Sequence, residues 1–260
     1  ARMSAWSTRA RLLLPLALAV PLPVRAADAP VFDHSRQVLL VCNLTKLEHA
    51  RTAVPADPVR LAKLEVQRDG DLKLAVFLGS LGFTVTKADE ASPLAAAEDK
   101  DLVVISETVD ALEIGAKYRH LAVPLIDSKN DLLGDLGMAG QKNGRDYGTD
   151  DDQRFVWVVN APHPLAAGLA AGVQNVLADE HCKMNWGKPG LGAVTIATLR
   201  GEPDKVAVFA YEKRATMNGE FLAPARRVSF FLWSDTFPQL RPEGTALLQA
   251  AILWAATKPE

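Results

Sequence analysis

Short apolar runs, each followed by a stretch with helical spacing, constrain this chain more than any other feature. QVLLVC (37–42) is almost unbroken in its apolar character, as a strand covered on both faces must be. Residues 57–81 then place Val59, Leu61, Leu64, Leu72, Val76 and Leu81 at helical spacing, interrupted at Asp69-Gly70, where a turn or kink is expected. FTVTK (83–87), an alanine-rich helix near 93–98, LVVIS (102–106), a helix through Ala116, VPLIDS (123–128) and FVWVV (155–159) continue the alternation. Parallel neighbours need a crossover between them, so this order predicts a parallel sheet wound with helices on both faces.

The C-terminal third is different. GAVTIATL (192–199) and KVAVFAY (205–211) are joined only by RGEPD, too short for a crossover, and must form an antiparallel hairpin. RVSFFLW (227–233) follows without an intervening helix, and Pro242 opens a last helix with Leu247, Leu248, Ala251, Ile252 and Ala255 on one face. Residues 141–154 are polar and read as a long surface loop. The predicted class is α/β: a flavodoxin-like, doubly wound, mostly parallel sheet with a C-terminal antiparallel hairpin.

Arg2, Arg9 and Arg11 precede the apolar run LLLPLALAVPLPV (12–24), and Val24-Arg25-Ala26 has small residues where a signal peptidase reads. Residues 1–26 are expected to be a secretory leader and 27–260 a single domain, secreted or periplasmic. The run is short and carries three prolines, so no membrane span is expected in the mature chain. Of 29 basic and 31 acidic side chains, four arginines and no acids fall in 1–26, leaving a formal charge of −6. That excess of acid argues against a nucleic-acid partner, which needs a basic surface to displace counterions.

In an open parallel sheet, ligands bind beyond the carboxyl ends of the strands. Cys42-Asn43, Ser106-Glu107 and Asp127-Ser128-Lys129 would meet at that edge, and Asn43, Ser106, Glu107 and Asp127 are candidate ligand contacts. Ser106 ends a strand as a hydrolase nucleophile would, but Val104 and Thr108 stand where a nucleophile elbow needs small residues. The alternative is a helix cap, for which Ser106, Thr108 or Asp110 has the oxygen, and the residues favour it. Cys42 lacks flanking glycines and reads as a buried structural thiol; spacing does not say whether it pairs with Cys182.

His163, before a proline, is a candidate base or a loop histidine bonded to backbone. His181 beside Cys182 lacks the paired spacing of a zinc site, and Asp146, Asp150, Asp151 and Asp152 lack the order of a calcium loop, so neither metal nor cofactor is expected. Trp186, in NWGKPG (185–190), would stack on a sugar if exposed and anchor the loop if buried.

HPLAAGL (163–169) resembles the HP-x-x-x-GL signature of ThuA-like (trehalose-utilisation) proteins, and ARRVSFFLWSDT (225–236) resembles their late strand. LVVISETV, EIGAKYRH and DLGM are similar to secreted bacterial domains of the class I glutamine amidotransferase-like superfamily, over about residues 36–256. The superfamily's Cys-His-Glu triad has no counterpart: no cysteine is glycine-flanked and no H-x-E follows the late strands. Trp233-Ser234-Asp235 also replaces the glycine and histidine common in ThuA-like proteins. The resemblance implies a small polar molecule or carbohydrate as ligand. Two readings follow: an exported binding domain without that triad, or a hydrolase or isomerase of carbohydrate derivatives using Glu107 or Asp127 as base with His163 or His181 nearby.

Overall fold

The computed structural model describes residues 36–55 and 57–257. The expected leader, residues 1–26, and its cleavage point before Ala27 lie outside the described residues. The chain runs β1 (Arg36–Val41), α1 (Lys46–Thr52), α2 (Pro58–Ser80), β2 (Phe83–Ala88), α3 (Ala95–Glu98), β3 (Leu102–Ile105), α4 (Ala111–Ile114), β4 (Leu125–Asp127), β5 (Tyr147–Asp150) and β6 (Phe155–Val158). It continues through β7 (Gly172–Asn175), β8 (Met184–Gly187), β9 (Val194–Leu199), β10 (Glu202–Tyr211), β11 (Arg227–Phe230) and α5 (Pro242–Ala256).

The strands form one α/β sheet in the order β2-β1-β3-β4-β11-β10-β9-β6-β7, with β8 meeting β10 and β5 pairing β8. β2, β1, β3, β4 and β11 are mutually parallel. Beyond β11 every pairing is antiparallel, including the expected β9–β10 hairpin.

The central strands are buried on both faces. Val38 and Leu40 of β1 pack with Leu74 and Leu78 of α2 and with Leu247 and Ile252 of α5 in one core; Leu39 and Val41 pack with Ala97 and Ile114 of α3 and α4 in the other. Pro58 opens α2, and the Asp57 carboxylate accepts from Val59 N at 3.1 Å and Arg60 N at 3.0 Å, satisfying free first-turn donors. Gly82, at φ 89°, then takes a left-handed conformation costly to other residues and turns the chain into β2.

Three sequence expectations need correction. FVWVV is not a fifth parallel strand: β6 runs antiparallel to β9 and β7, and between β4 and β6 there is only a one-turn 3-10 helix, Asn130–Leu132, and no α-helix to carry a crossover. The fifth parallel strand is β11, beside β4. The 141–154 segment is not all loop, since β5 within it pairs β8. Finally, α2 passes through Asp69-Gly70 unbroken; Gly70 is buried, and a Cβ there would make an ordinary 3.5 Å contact with Ser234 O. No helix of the described residues is long and apolar enough to cross a membrane.

Candidate functional site

The carboxyl ends of β1, β3, β4 and β11 converge on a buried polar cluster. At the end of β3, Ser106 Oγ donates to Asp71 Oδ1 at 2.5 Å and Thr108 Oγ1 donates to Asp71 Oδ2 at 2.7 Å. Asn43 N, beyond β1, donates to Thr108 Oγ1 at 3.1 Å, while Asn43 Nδ2 donates to Glu90 Oε1 at 2.8 Å. Lys46 Nζ stands 3.5 Å from the same Glu90 oxygen.

Beside it, Lys129 Nζ lies 3.0 Å from Glu107 Oε1 and 3.7 Å from Asp131 Oδ2, and its backbone N donates to Asp127 Oδ1 at 3.1 Å. Asn185 Nδ2 donates to Ser128 O and Leu232 O, each at 2.8 Å, and its Oδ1 accepts from Thr149 Oγ1 at 2.7 Å. Asn185 thereby adds side-chain bonds from β8 to β5 and to the chain beyond β4 and β11.

Burial dominates the electrostatics, because a carboxylate loses its hydration there. It pushes Asp71 up to about 6 against the bonds from Ser106 and Thr108. It raises Glu107 against the pull of Lys129 and a Ser234 hydrogen bond, and raises Asp127, whose Oδ2 has no partner, well above the carboxylate range. For Lys129 burial works the other way, but Glu107, Asp131 and Asp127 outweigh it and hold the ammonium above its ordinary value.

Beside this network, and sharing Lys46 and Lys129 with it, lies a cleft of about 500 Å³ lined also by Asp131, Asp135, Gln141 and Tyr147 and by the start of α4, whereas Asp71, Ser106, Glu107 and Ser128 border a separate, smaller hollow with Trp233 and Ser234. The cleft wall carries ammonium, carboxylate, amide and phenol groups, which suits a ligand rich in hydroxyls.

Asn43, Ser106, Glu107 and Asp127 meet at this edge, as the strand order requires. Glu107 is only 5% exposed, and Lys129, bonded to it, faces the cleft. Ser106 caps no helix: Asp110 does so for α4, accepting from Leu112 N at 3.0 Å. Ser106 is also not on a strained elbow, since the described non-glycine residues with positive φ are Asp152, Ala167, Arg214 and Glu220.

The histidines do not join the cluster. β6 runs opposite to the parallel strands, so His163, past its end, lies at their amino edge, where Leu165 N donates to its Nδ1 at 3.2 Å and its ring faces Trp254. His181 is exposed, with Nδ1 2.9 Å from Asp152 Oδ1. Trp186 is not in a turn but in β8, 4% exposed, with Nε1 donating to Asp150 Oδ1 at 2.8 Å, so its ring anchors the sheet and offers no face to a sugar.

Cys42 and Cys182 are free thiols. Burial, then Asp71, pushes Cys42 up to about 12, the reverse of what a thiolate nucleophile needs. No group of three or more His, Cys, Asp or Glu among the described residues could hold a metal ion.

Sequence reasoning missed Asp71, Glu90 and Asn185. Asp71 had a signal: it occupies the buried face of α2 with Leu64, Leu74 and Leu78, where an acid must have a partner. Asn185 had none, because its partners come from three distant segments.

No family model matches the chain and no curated protein matches it in sequence. Among solved structures, a protein assigned as a GMP synthase component from Thermoplasma acidophilum aligns at TM-score 0.51 and 11% identity, covering 85% of this chain and 95% of the other. A protein assigned as ThuA-like from Bacteroides uniformis aligns at TM-score 0.46 and 14% identity, over 90% and 95% of the two chains. The mmIFT52 N-terminal domain aligns at TM-score 0.43 and 10% identity, over 85% and 98%. At such identities the first likeness shows the fold alone: this chain has an α/β fold like that of the Thermoplasma protein.

Proposed function

We propose that this chain is an exported, ThuA-like binding domain that holds a small polar ligand, a carbohydrate or similar polyol, in the cleft above the carboxyl edge of its parallel strands, without the Cys-His-Glu triad. One observation carries the proposal: a cleft of about 500 Å³ whose wall carries donors and acceptors and includes Lys129, itself bonded to buried Glu107. A polar group already held by a buried partner recognises a hydroxyl at reduced entropic cost. The strand order β2-β1-β3-β4-β11 supports a flavodoxin-like, doubly wound plan for that half, in which this edge is the binding edge. HPLAAGL and the arginine-flanked apolar run before Ala26 support the ThuA-like and exported parts of the reading.

The test is a thermal-shift and amide-NMR titration with neutral sugars, sugar alcohols and keto-sugars. A ligand that binds only the folded state raises the melting temperature, and its shifts should centre on residues 109–112, 129–131, 135, 141 and 147. Shifts centred on any other face would end the proposal. Intact mass of exported protein tests the leader, with Ala27 expected as first residue.

The raised pKa of Glu107 favours a second reading, a carbohydrate hydrolase or isomerase with a carboxylate base. Its burial behind Lys129, with both candidate histidines elsewhere, weighs against that reading. Turnover abolished by Glu107→Gln in a fold of unchanged stability would establish it.

A further inference from the structure

A second cavity, of about 330 Å³, lies at the opposite edge of the parallel strands. Arg36 opens β1 there, Asp101 and Pro124 precede β3 and β4, Arg226 precedes β11, and Lys213 follows β10. Its floor is apolar, with Val123, Pro124 and Ala255. Among the described residues, its wall carries Arg36, Lys100, Lys213 and Arg226 against a single carboxylate, Asp101. That balance is unexpected in a chain of net negative charge.

These cations have different tasks. Arg226 bonds Glu212 through Nε at 2.8 Å and donates from Nη1 to Trp254 O at 2.6 Å and Thr257 O at 2.8 Å. Arg36 Nη1 donates to Ala256 O. The carbonyls that end α5, the negative pole of its dipole, are therefore covered by guanidinium groups and do not repel an anion from the cavity. Lys100 is half-buried at the wall, held by exposed Asp99 at 2.6 Å, and Lys213 is exposed at the rim.

A fifth cation lies close by. Arg227 is completely buried and donates to Val123 O at 2.9 Å, to Leu121 O and to Arg226 O at 3.2 Å. All its partners are carbonyls, its Nε has none, and Val123 is itself part of the cavity floor. Burial pushes its pKa down to about 10, which leaves it charged at neutral pH. A buried cation bonded only to neutral carbonyls projects its field into its surroundings, and an anion nearby would be held by it.

We propose that this cavity binds a small organic anion, with a carboxylate or phosphate group at Lys100 and Lys213 and a compact apolar body over Val123, Pro124 and Ala255. Its volume is within the range of small-ligand sites. The site is independent of the polyol cleft and does not rest on that reading.

Amide-NMR titrations with phenyl phosphate, benzoate, benzyl alcohol and inorganic phosphate test it. Saturable shifts at residues 100–101, 122–124, 213, 225–226 and 255–257 are expected with at least one of the two aromatic anions; which one responds separates a phosphate from a carboxylate specificity. Benzyl alcohol, lacking the charge, and inorganic phosphate, lacking the apolar body, should each bind about tenfold more weakly or worse. The Lys100→Glu, Lys213→Glu double variant should weaken the aromatic anion by about tenfold or more, and added salt should weaken it in wild type. Should the double variant not fold, Lys213→Glu alone and the salt series decide the matter. Absence of saturable shifts with both aromatic anions, shifts centred on another face, equal binding of benzyl alcohol, or affinity indifferent to both charge reversal and salt would overturn the proposal.

Discussion

Ser106 Oγ donates to Asp71 Oδ1 across 2.5 Å, joining the end of β3 to the middle of α2. With Thr108 on the other carboxylate oxygen, Asp71 is clamped by two hydroxyls inside the fold. The serine at this strand end is thus not a helix cap but half of a clasp between a strand and the helix packed over it.

Removing that hydroxyl should cost stability. Ser106→Ala leaves Asp71 Oδ1 without its donor in a buried setting, and such a loss is worth about 1–3 kcal/mol. Urea unfolding measures it, and the loss should shrink when Asp71→Asn is already present, because the two residues act as a pair. Additive effects of the two substitutions would refute the clasp.

The same carboxyl sets a pH dependence. Asp71 titrates near 3.8 in the unfolded chain and at about 6 in the folded one. Between these values the folded state holds more protons, so stability is greatest at the acid end and falls as pH rises through the folded pKa. A shift of about two units bounds the effect at about 3 kcal/mol. Glu107 and Asp127 are raised too and act in the same direction. Subtracting the profile of Asp71→Asn from that of wild type isolates the Asp71 part, and the difference should fall between about pH 4 and pH 7. A difference that rises with pH would mean the carboxyl is stabilised as the anion.

Lys129 is the cation on which the buried acids beside the cleft depend. Lys129→Met leaves Glu107, 5% exposed, without its counter-charge, a change expected to cost about 3–5 kcal/mol. The Lys129→Met, Glu107→Gln double variant should recover most of that loss, since it removes both charges together. Thermal melts of the two singles and the double complete the cycle. No recovery in the double would place the importance of Lys129 elsewhere, with Asp127 and Asp131 the next partners to examine.

What could be read from the sequence follows the range of the interactions. β1, β3, β4, the β9–β10 hairpin and the apolar face of α5 are local patterns, and each is where spacing put it. The meeting of Asn43, Ser106, Glu107 and Asp127 followed from strand adjacency alone. The partner of β6 and the place of β11 did not, because a strand's direction depends on the length and winding of connections whose path no local pattern records. Gly70 misled for a physical reason: a lone glycine weakens a helix by only about 1 kcal/mol, which the burial of Leu74 and Leu78 on the same helix outweighs.

Gly244, in α5, is by contrast held to glycine by its neighbours. Alanine favours helix over glycine by about 1 kcal/mol, so Gly244→Ala would stabilise an isolated helix. Here the added Cβ would lie 2.4 Å from Val176 O and 2.7 Å from Leu240 Cδ2. A backbone carbonyl cannot swing aside as a side chain can, so the substitution should destabilise the protein by about 1–3 kcal/mol. Chemical denaturation reads the sign directly, and a gain in stability would show that the start of α5 is less closely docked than these distances require.

β11 decides whether the two halves of the sheet can exist apart. It lies between β4, its parallel neighbour, and β10, its antiparallel one, so it is the seam where one pairing mode gives way to the other. Truncation after Asp204 removes β11, most of β10 and all of α5, and strips the parallel half of Val228 and Phe230 from the sheet and of Leu247, Leu248, Ala251 and Ile252 from the face above it. Burying each large side chain among these is worth about 1.5–3 kcal/mol, and β4 would gain an open edge as well. Their sum approaches or exceeds the roughly 5–15 kcal/mol by which a domain is stable. The truncated chain should therefore be insoluble or molten, with far-ultraviolet dichroism retained, near-ultraviolet dichroism lost and a hydrophobic dye bound. A soluble fragment that melts cooperatively would show that residues 36–204 carry a complete core, and that β11 joins two units rather than completing one.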